Sequence, residues 1–216
     1  LTIKVGKRIE AIDVANLTKN YRGNFLEEKK HVSYHFTELA LDNTNKYTPY
    51  IDTDSAVALA SGGITLTTVA TDTKVCTQTQ GGIWWYPAKN PVVEMVFQID
   101  VITNVAIFAG FNDAVSEASS LLPFGLVTAT LTDTATDAAG FLFDTRQTLA
   151  YFNAVNTKTG TDAFTQLAST YVPVAATDLT LRVEIVSGGH ARYYWNGKQV
   201  HYKASAVSTT VPLILY

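Results

Sequence analysis

The 216-residue chain has one cysteine, Cys76, one methionine and six prolines. A lone cysteine excludes an intrachain disulfide. No His-containing motif accompanies it, so Cys76 reads as a small buried hydrophobe rather than a nucleophile. Synthesis in a reducing compartment, without dependence on oxidation, is the matching expectation. Charge is also scarce: Asp, Glu, Lys and Arg make up 16% of residues, against about 25% in an ordinary globular domain. A net charge of -3 gives no broad basic surface for phosphate backbones, so nucleic acid is not an expected partner. No apolar run approaches the ~20 residues that span a bilayer, and the segment Leu1–Arg8 is not followed by a signal-type apolar stretch. Nucleophile-elbow and phosphate-loop motifs are missing.

Apolar residues are plentiful. At 47% of the chain they exclude disorder, and the length suits one all-β domain with an appendage better than two domains. Threonine takes much of the place of charge, and it favours pleated, half-buried surfaces. Low charge then has two readings: a surface covered by partners, or a Thr-rich β surface. The charges that exist are concentrated at the start, where residues 1–50 hold 8 Lys/Arg and 6 Asp/Glu of the chain's 16 and 19. Residues 1–30, with the run Glu27-Glu28-Lys29-Lys30 and few turn signals, read as an arm or irregular extension. An N-terminal strand plus a short helix packed on the body is the alternative. Residues 31–216 read as the body.

The body alternates between strands and turns. Val32, Tyr34 and Phe36 repeat at period 2. Ser61-Gly62-Gly63, Gly81-Gly82 and Asn90-Pro91 punctuate the chain, and Val92–Ile102 is a long β-branched stretch. Leu179, Leu181, Val183 and Ile185 share one face of a strand, with Thr180, Arg182 and Glu184 on the other. Ser187-Gly188-Gly189-His190 closes a hairpin, and Asn196-Gly197 is a type I′ signal. Pro212 confines the last strand, Val211–Tyr216, to an edge or a strand start. About ten to twelve short strands without helix–strand alternation predict a sandwich or jelly roll.

Three segments carry a resemblance. The hairpin Leu181–Ile185 followed by Arg192-Tyr193-Tyr194-Trp195-Asn196-Gly197-Lys198-Gln199-Val200 resembles those of concanavalin-like lectin/glucanase jelly rolls. Ile107–Asp113 is similar to the F-x-G-x-x-D step of the same group, and Ala139–Thr145 matches a further segment. In this order and Thr/Ala-rich style, residues 51–216 resemble structural proteins of tailed bacteriophages. The resemblance implies an all-β, two-sheet antiparallel jelly-roll sandwich with an N-terminal extension. It implies no enzymatic activity and no cofactor. The expected role is a capsid decoration (cement) protein on the phage head surface, made in the host cytoplasm. It would bind the major capsid protein and other copies of itself, most simply as a homotrimer. The arm residues Lys4, Lys7, Arg8, Tyr21, Arg22 and Phe25 are the candidate capsid contacts. A carbohydrate-binding module of a tail or head fibre is the alternative.

The residues bear on the chemistry directly. Glucanases of this superfamily need two carboxylates on one strand, in an E-x-D-x-x-E pattern, as acid/base and nucleophile. The best match, Gln98-Ile99-Asp100-Val101-Ile102-Thr103, has Gln98 and Thr103 where carboxylates belong, and Asp100 alone cannot fill both roles. His31 and His35 would lie ~13 Å apart along one extended strand, too far to chelate one ion. His190 and His201 complete the histidines. Asn112, Asp113, Asp133, Asp137 and Asp144 are loop candidates for Ca²⁺, although such residues more often cap turns; no metal is expected. In Trp84-Trp85-Tyr86, neighbours on a strand point to opposite faces, so one Trp is expected in the core and the other outside. The outer ring could stack on a glycan, anchor a protein contact, or be covered within the chain. Tyr193 and Trp195 are expected in the core.

Overall fold

A computed structural model describes residues 2–13, 31–34, 48–51, 56–60, 63–68, 76–79, 85–113, 122–148 and 150–216, with side chains described at 56–58, 65–68 and throughout the three longest of these stretches. The strands are β1 (Thr2–Asp13), β2 (His31–Tyr34), β3 (Thr48–Ile51), β4 (Ala56–Ala60), β5 (Gly63–Thr67), β6 (Cys76–Thr79), β7 (Pro91–Ile99), β8 (Ala106–Asn112), β9 (Phe124–Val127), β10 (Thr130–Asp133), β11 (Asp137–Asp144), β12 (Phe152–Lys158), β13 (Thr161–Gln166), β14 (Leu179–Val186), β15 (His190–Trp195), β16 (Lys198–Lys203) and β17 (Ile214–Leu215). Apart from a 3-10 turn at Pro87–Lys89, no helix occurs among the described residues.

The chain is an antiparallel β-sandwich of two main sheets, beside which β9–β10 and β3–β6 form two-stranded sheets of their own. The larger sheet runs β16-β15-β14-β7-β1-β5-β4, with β2 beside β1, and the smaller runs β13-β12-β11-β8-β17. The chain passes between them after β7, after β13 and after β16. Alternation explains the packing. Val93, Met95, Phe97 and Ile99 of β7 and Leu181, Val183 and Ile185 of β14 form one core with Ile107, Ala109 and Phe111 of β8 and Phe141 and Phe143 of β11. Tyr193 ties the layers together: its ring meets Phe141 edge-on at 5.5 Å, and its hydroxyl donates to the Val155 carbonyl of the opposite sheet at 2.9 Å. Trp195 packs on the same core, reaching Phe152 at 5.2 Å. Both fit the sequence expectation.

β11 is buried along its whole length because its second face is covered as well. Phe108, Ala138, Leu142 and Val155 form another cluster with Phe124, Leu126 and Ala135, beneath the β9–β10 hairpin. Gly110 and Gly140 stand opposite each other there. A Cβ on Gly140 would lie 2.5 Å from the Phe108 ring, and one on Gly110 would lie 2.4 Å from the Ala139 carbonyl oxygen.

Both hairpin signals hold. Asn196 and Gly197 take φ 46° and 80°, and Gly188 and Gly189 take 84° and 71°, the left-handed region such tight turns use. Two expectations change. The β7 strand ends at Ile99, not Ile102, because Asp100 begins a bend. Within residues 1–30, read from their charge as an arm or irregular extension, Thr2–Asp13 is strand β1. It lies inside the larger sheet, between β7 on one side and β5 and β2 on the other. Ile3, Val5, Ile9 and Ala11 stand opposite Ile99, Phe97, Met95 and Val93, with the register broken between Val5 and Ile9. The apolar repeat is interrupted there by Gly6-Lys7-Arg8, which is why charge density hid the strand. Residues 14–30 lie outside the described residues.

Candidate functional site

The outward face of the larger sheet holds a compact polar plaque. Arg182 and Glu184 follow each other on this face of β14, with Tyr194 and Arg192 opposite them on β15. Tyr202 stands beside Arg192 on β16, and Glu94 beside Arg182 on β7. Glu184 is the hub. Its Oε1 accepts from the Arg182 guanidinium, and its Oε2 accepts from the Tyr194 hydroxyl at 2.9 Å and lies 3.9 Å from Arg192 Nη1. The Arg182 guanidinium also sits 5.1 Å from the centroid of the Tyr194 ring, a cation–π contact. Burial raises the Tyr194 hydroxyl above the usual phenol range. The hydrogen bond and charge of Glu184 add to that rise, and Arg192 opposes it.

This arrangement fixes shape rather than chemistry. Glu184 is 8% exposed, and both its oxygens are engaged. Charge-assisted bonds of this kind are the stronger ones and hold side chains in place. What faces outward is Arg192, half-exposed, and Tyr202, 47% exposed. Tyr202 rests against the His190 ring at 5.9 Å. Sequence reading placed Arg182 and Glu184 on the outward face but did not single out Arg192 or Tyr202, because cross-strand neighbours two hairpins apart carry no local motif.

The residues singled out from sequence scatter. Trp85 is in the core, where its backbone bridges Leu213. At 3% exposed it is not the candidate partner or glycan contact that the sequence suggested. Tyr86 is half exposed, and Trp84 lies outside the described residues. Lys4 lies in β1, with Lys7 and Arg8 at its register break; Tyr21, Arg22 and Phe25 are outside the described residues. Gln98 donates to Asp178 Oδ1 at 2.8 Å, Asp100 sits in the bend after β7, and Thr103 sits in the loop beyond. The E-x-D-x-x-E-like segment therefore does not continue along one strand. Cys76 and His31 lie in β6 and β2, and His35 is outside the described residues.

The Ca²⁺ candidates do not converge. Asp144 and Asp137 cap opposite ends of β11. Asp144, fully buried, accepts from the Leu126 amide at 3.0 Å and from the Arg146 amide and side chain, so it anchors the β9–β10 hairpin to the sheet. Asp137 accepts from the Ser208 and Thr159 amides. Burial raises its carboxyl above the ordinary value, and nearby Asp113 adds to this. Asp113 in turn accepts from the amide and hydroxyl of Thr136. Asn112 is fully buried, and its amide nitrogen and oxygen lack partners. Asp133 closes β10. His190 Nδ1 accepts from the Ser205 amide at 2.8 Å. His201 packs on Tyr193 at 5.5 Å, and burial lowers its pKa, with Lys203 contributing. No group of three or more His, Cys, Asp or Glu that could hold a metal occurs among the described residues.

Fold and site together define an antiparallel β-sandwich with a pre-set Arg/Tyr/Glu plaque on one outward face. The chain matches no protein-family model, no curated protein and no solved structure.

Proposed function

We propose that this chain is a non-enzymatic virion structural protein that works by docking, as a capsid decoration protein on a phage head. The phage assignment is supported by the resemblance of residues 51–216. Docking is supported by one observation: the outward plaque, where an Arg182–Glu184–Tyr194 network stands beside Arg192 and Tyr202, both of which face solvent. Arg and Tyr, with Trp, are enriched among the residues that dominate interface energies, and a pre-set arrangement reduces the ordering cost of association. The function is then added buried interface with neighbouring capsid subunits. Many copies on one particle multiply a modest single-site affinity. The glycan alternative is less well supported with Trp85 in the core, which leaves Tyr86 as its described platform.

The test is binding of purified protein to particles stripped of it. The double variant Arg192→Glu/Tyr202→Ser is expected to keep the wild-type circular dichroism and lose about 100-fold in apparent affinity. Wild-type binding by that variant would overturn the plaque as the docking surface. Deletion of residues 1–30 is not a usable test, since it removes β1 from within the larger sheet.

A further inference from the structure

Charge is divided across the outward face of the larger sheet. Glu94 of β7 stands opposite Glu10 of β1 on one side and Arg182 of β14 on the other, and Glu184 lies two residues on from Arg182. Beyond β14 the carboxylates stop. Residues 185–216 carry Arg192, Lys198 and Lys203 and no Asp or Glu, whereas residues 1–184 carry 13 Lys/Arg and all 19 Asp/Glu. In a chain of net charge -3, the β15–β16 hairpin is therefore a cationic element.

Arg192 and Tyr202 are directly opposed on that hairpin. Arg192 Nη1 lies 3.9 Å from Glu184 Oε2, longer than a hydrogen bond, and the Glu184 oxygens are already engaged by Arg182 and Tyr194. The positive charge of Arg192 is thus only partly answered by Glu184, and its side chain is half-exposed. Tyr202 sets an exposed phenol beside it, with its ring against His190. Lys198 and Lys203 stand at the two ends of β16, roughly 16 Å apart along an extended strand.

We infer, resting on the docking proposal above, that this hairpin binds an extended acidic segment of a partner protein, with a carboxylate seated on Arg192 beside the Tyr202 hydroxyl. The guanidinium fork presents paired donors that match the two oxygens of a carboxylate. Side chains on one face of an extended segment recur about every 7 Å, so about five residues with acids on one face reach from Lys203 to Lys198. Opposite charge also steers the encounter and disfavours basic partners. Nucleic acid fits less well, because three cations on a net-negative chain neutralise few phosphates.

An NMR titration of the isotope-labelled full chain with a capped polyglutamate peptide, at about 20 mM salt, tests it. The largest shifts are expected at Arg192, Tyr202 and Lys203, with millimolar affinity that fades by about 200 mM salt. Arg192→Gln is expected to weaken binding about fivefold while its spectrum away from β15 and β16 stays that of wild type. No shifts at the hairpin, undiminished binding by Arg192→Gln, or tighter binding of a single-stranded oligonucleotide of equal charge at the same residues would overturn the inference. Peptide binding here by a chain that does not bind stripped particles would overturn the docking proposal and leave the preference for acidic segments standing. Particle binding that the Arg192→Glu/Tyr202→Ser variant loses, without peptide binding by wild type, would do the reverse.

Discussion

The outward faces of the two sheets have opposite treatments. On the smaller sheet, Phe108, Leu142 and Val155 are covered by the β9–β10 hairpin. Gly110 and Gly140 let the Phe108 ring lie across β11 within that sheet, and Asp144 fastens the cover through the Leu126 amide. On the larger sheet, the corresponding face of β14 and β15 carries Arg182, Glu184, Arg192 and Tyr194, bonded to one another. A face that supplies folding energy is covered within the chain. A face left outside is kept in shape by polar bonds centred on Glu184, which leave Arg192 and Tyr202 to solvent. That difference directs the search for function to the larger sheet.

The comparison breaks most visibly at Gly140. Gly140→Ala forces a methyl against the Phe108 ring and the Ala109 carbonyl. It is expected to cost about 3 kcal/mol, the upper end for overpacking, and to lower the midpoint of thermal unfolding by roughly 10 °C. A loss under about 1 kcal/mol would mean that the hairpin-covered face is loosely packed. On the opposite face, Glu184→Ala removes the acceptor for Arg182 and Tyr194. The expected cost in chemical denaturation is only about 1 kcal/mol, because the orphaned groups can reach water. A spectroscopic titration of Tyr194 in that variant should also move toward the ordinary phenol value.

A smaller effect links the two sheets. Burial raises the pKa of Tyr193 far above the ordinary phenol value. In the unfolded chain this phenol ionises near pH 10, so the folded state binds the extra proton above that pH. Its stabilising contribution is complete below about pH 10 and is lost as pH rises further. Tyr193→Phe is expected to cost about 1 kcal/mol at neutral pH through the lost bond to Val155. It should also flatten the decline of stability above about pH 10. An unchanged alkaline slope would contradict the burial of that hydroxyl.

Much of the fold was legible because the relevant signals are local. Alternation in Leu179–Ile185 and the Asn196-Gly197 and Gly188-Gly189 turns specify β14, β15 and β16 without reference to anything distant. β1 was obscured because its partner, β7, lies 78 to 96 residues away and its own pattern is interrupted at Gly6-Lys7-Arg8. Short pairs such as β9 and β10 are too brief for a period to register, so strand number was underestimated. For the site, alternation alone put Arg182 and Glu184 on one outward face. It could not reveal that Arg192, Tyr194 and Tyr202 join them, because that depends on cross-strand register, including a bulge at β16. Trp85 misled for a related reason: its place in the core is set by its bridge to Leu213, at the far end of the chain.

The proposed docking role is tested most directly by a reconstruction of a phage particle bearing this chain, at a resolution that orients the sandwich. If the proposal holds, the outward face of β14, β15 and β16, with Arg192 and Tyr202, lies against the capsid shell. A sandwich seated through the β9–β10 hairpin, with that plaque open to solvent, would contradict it.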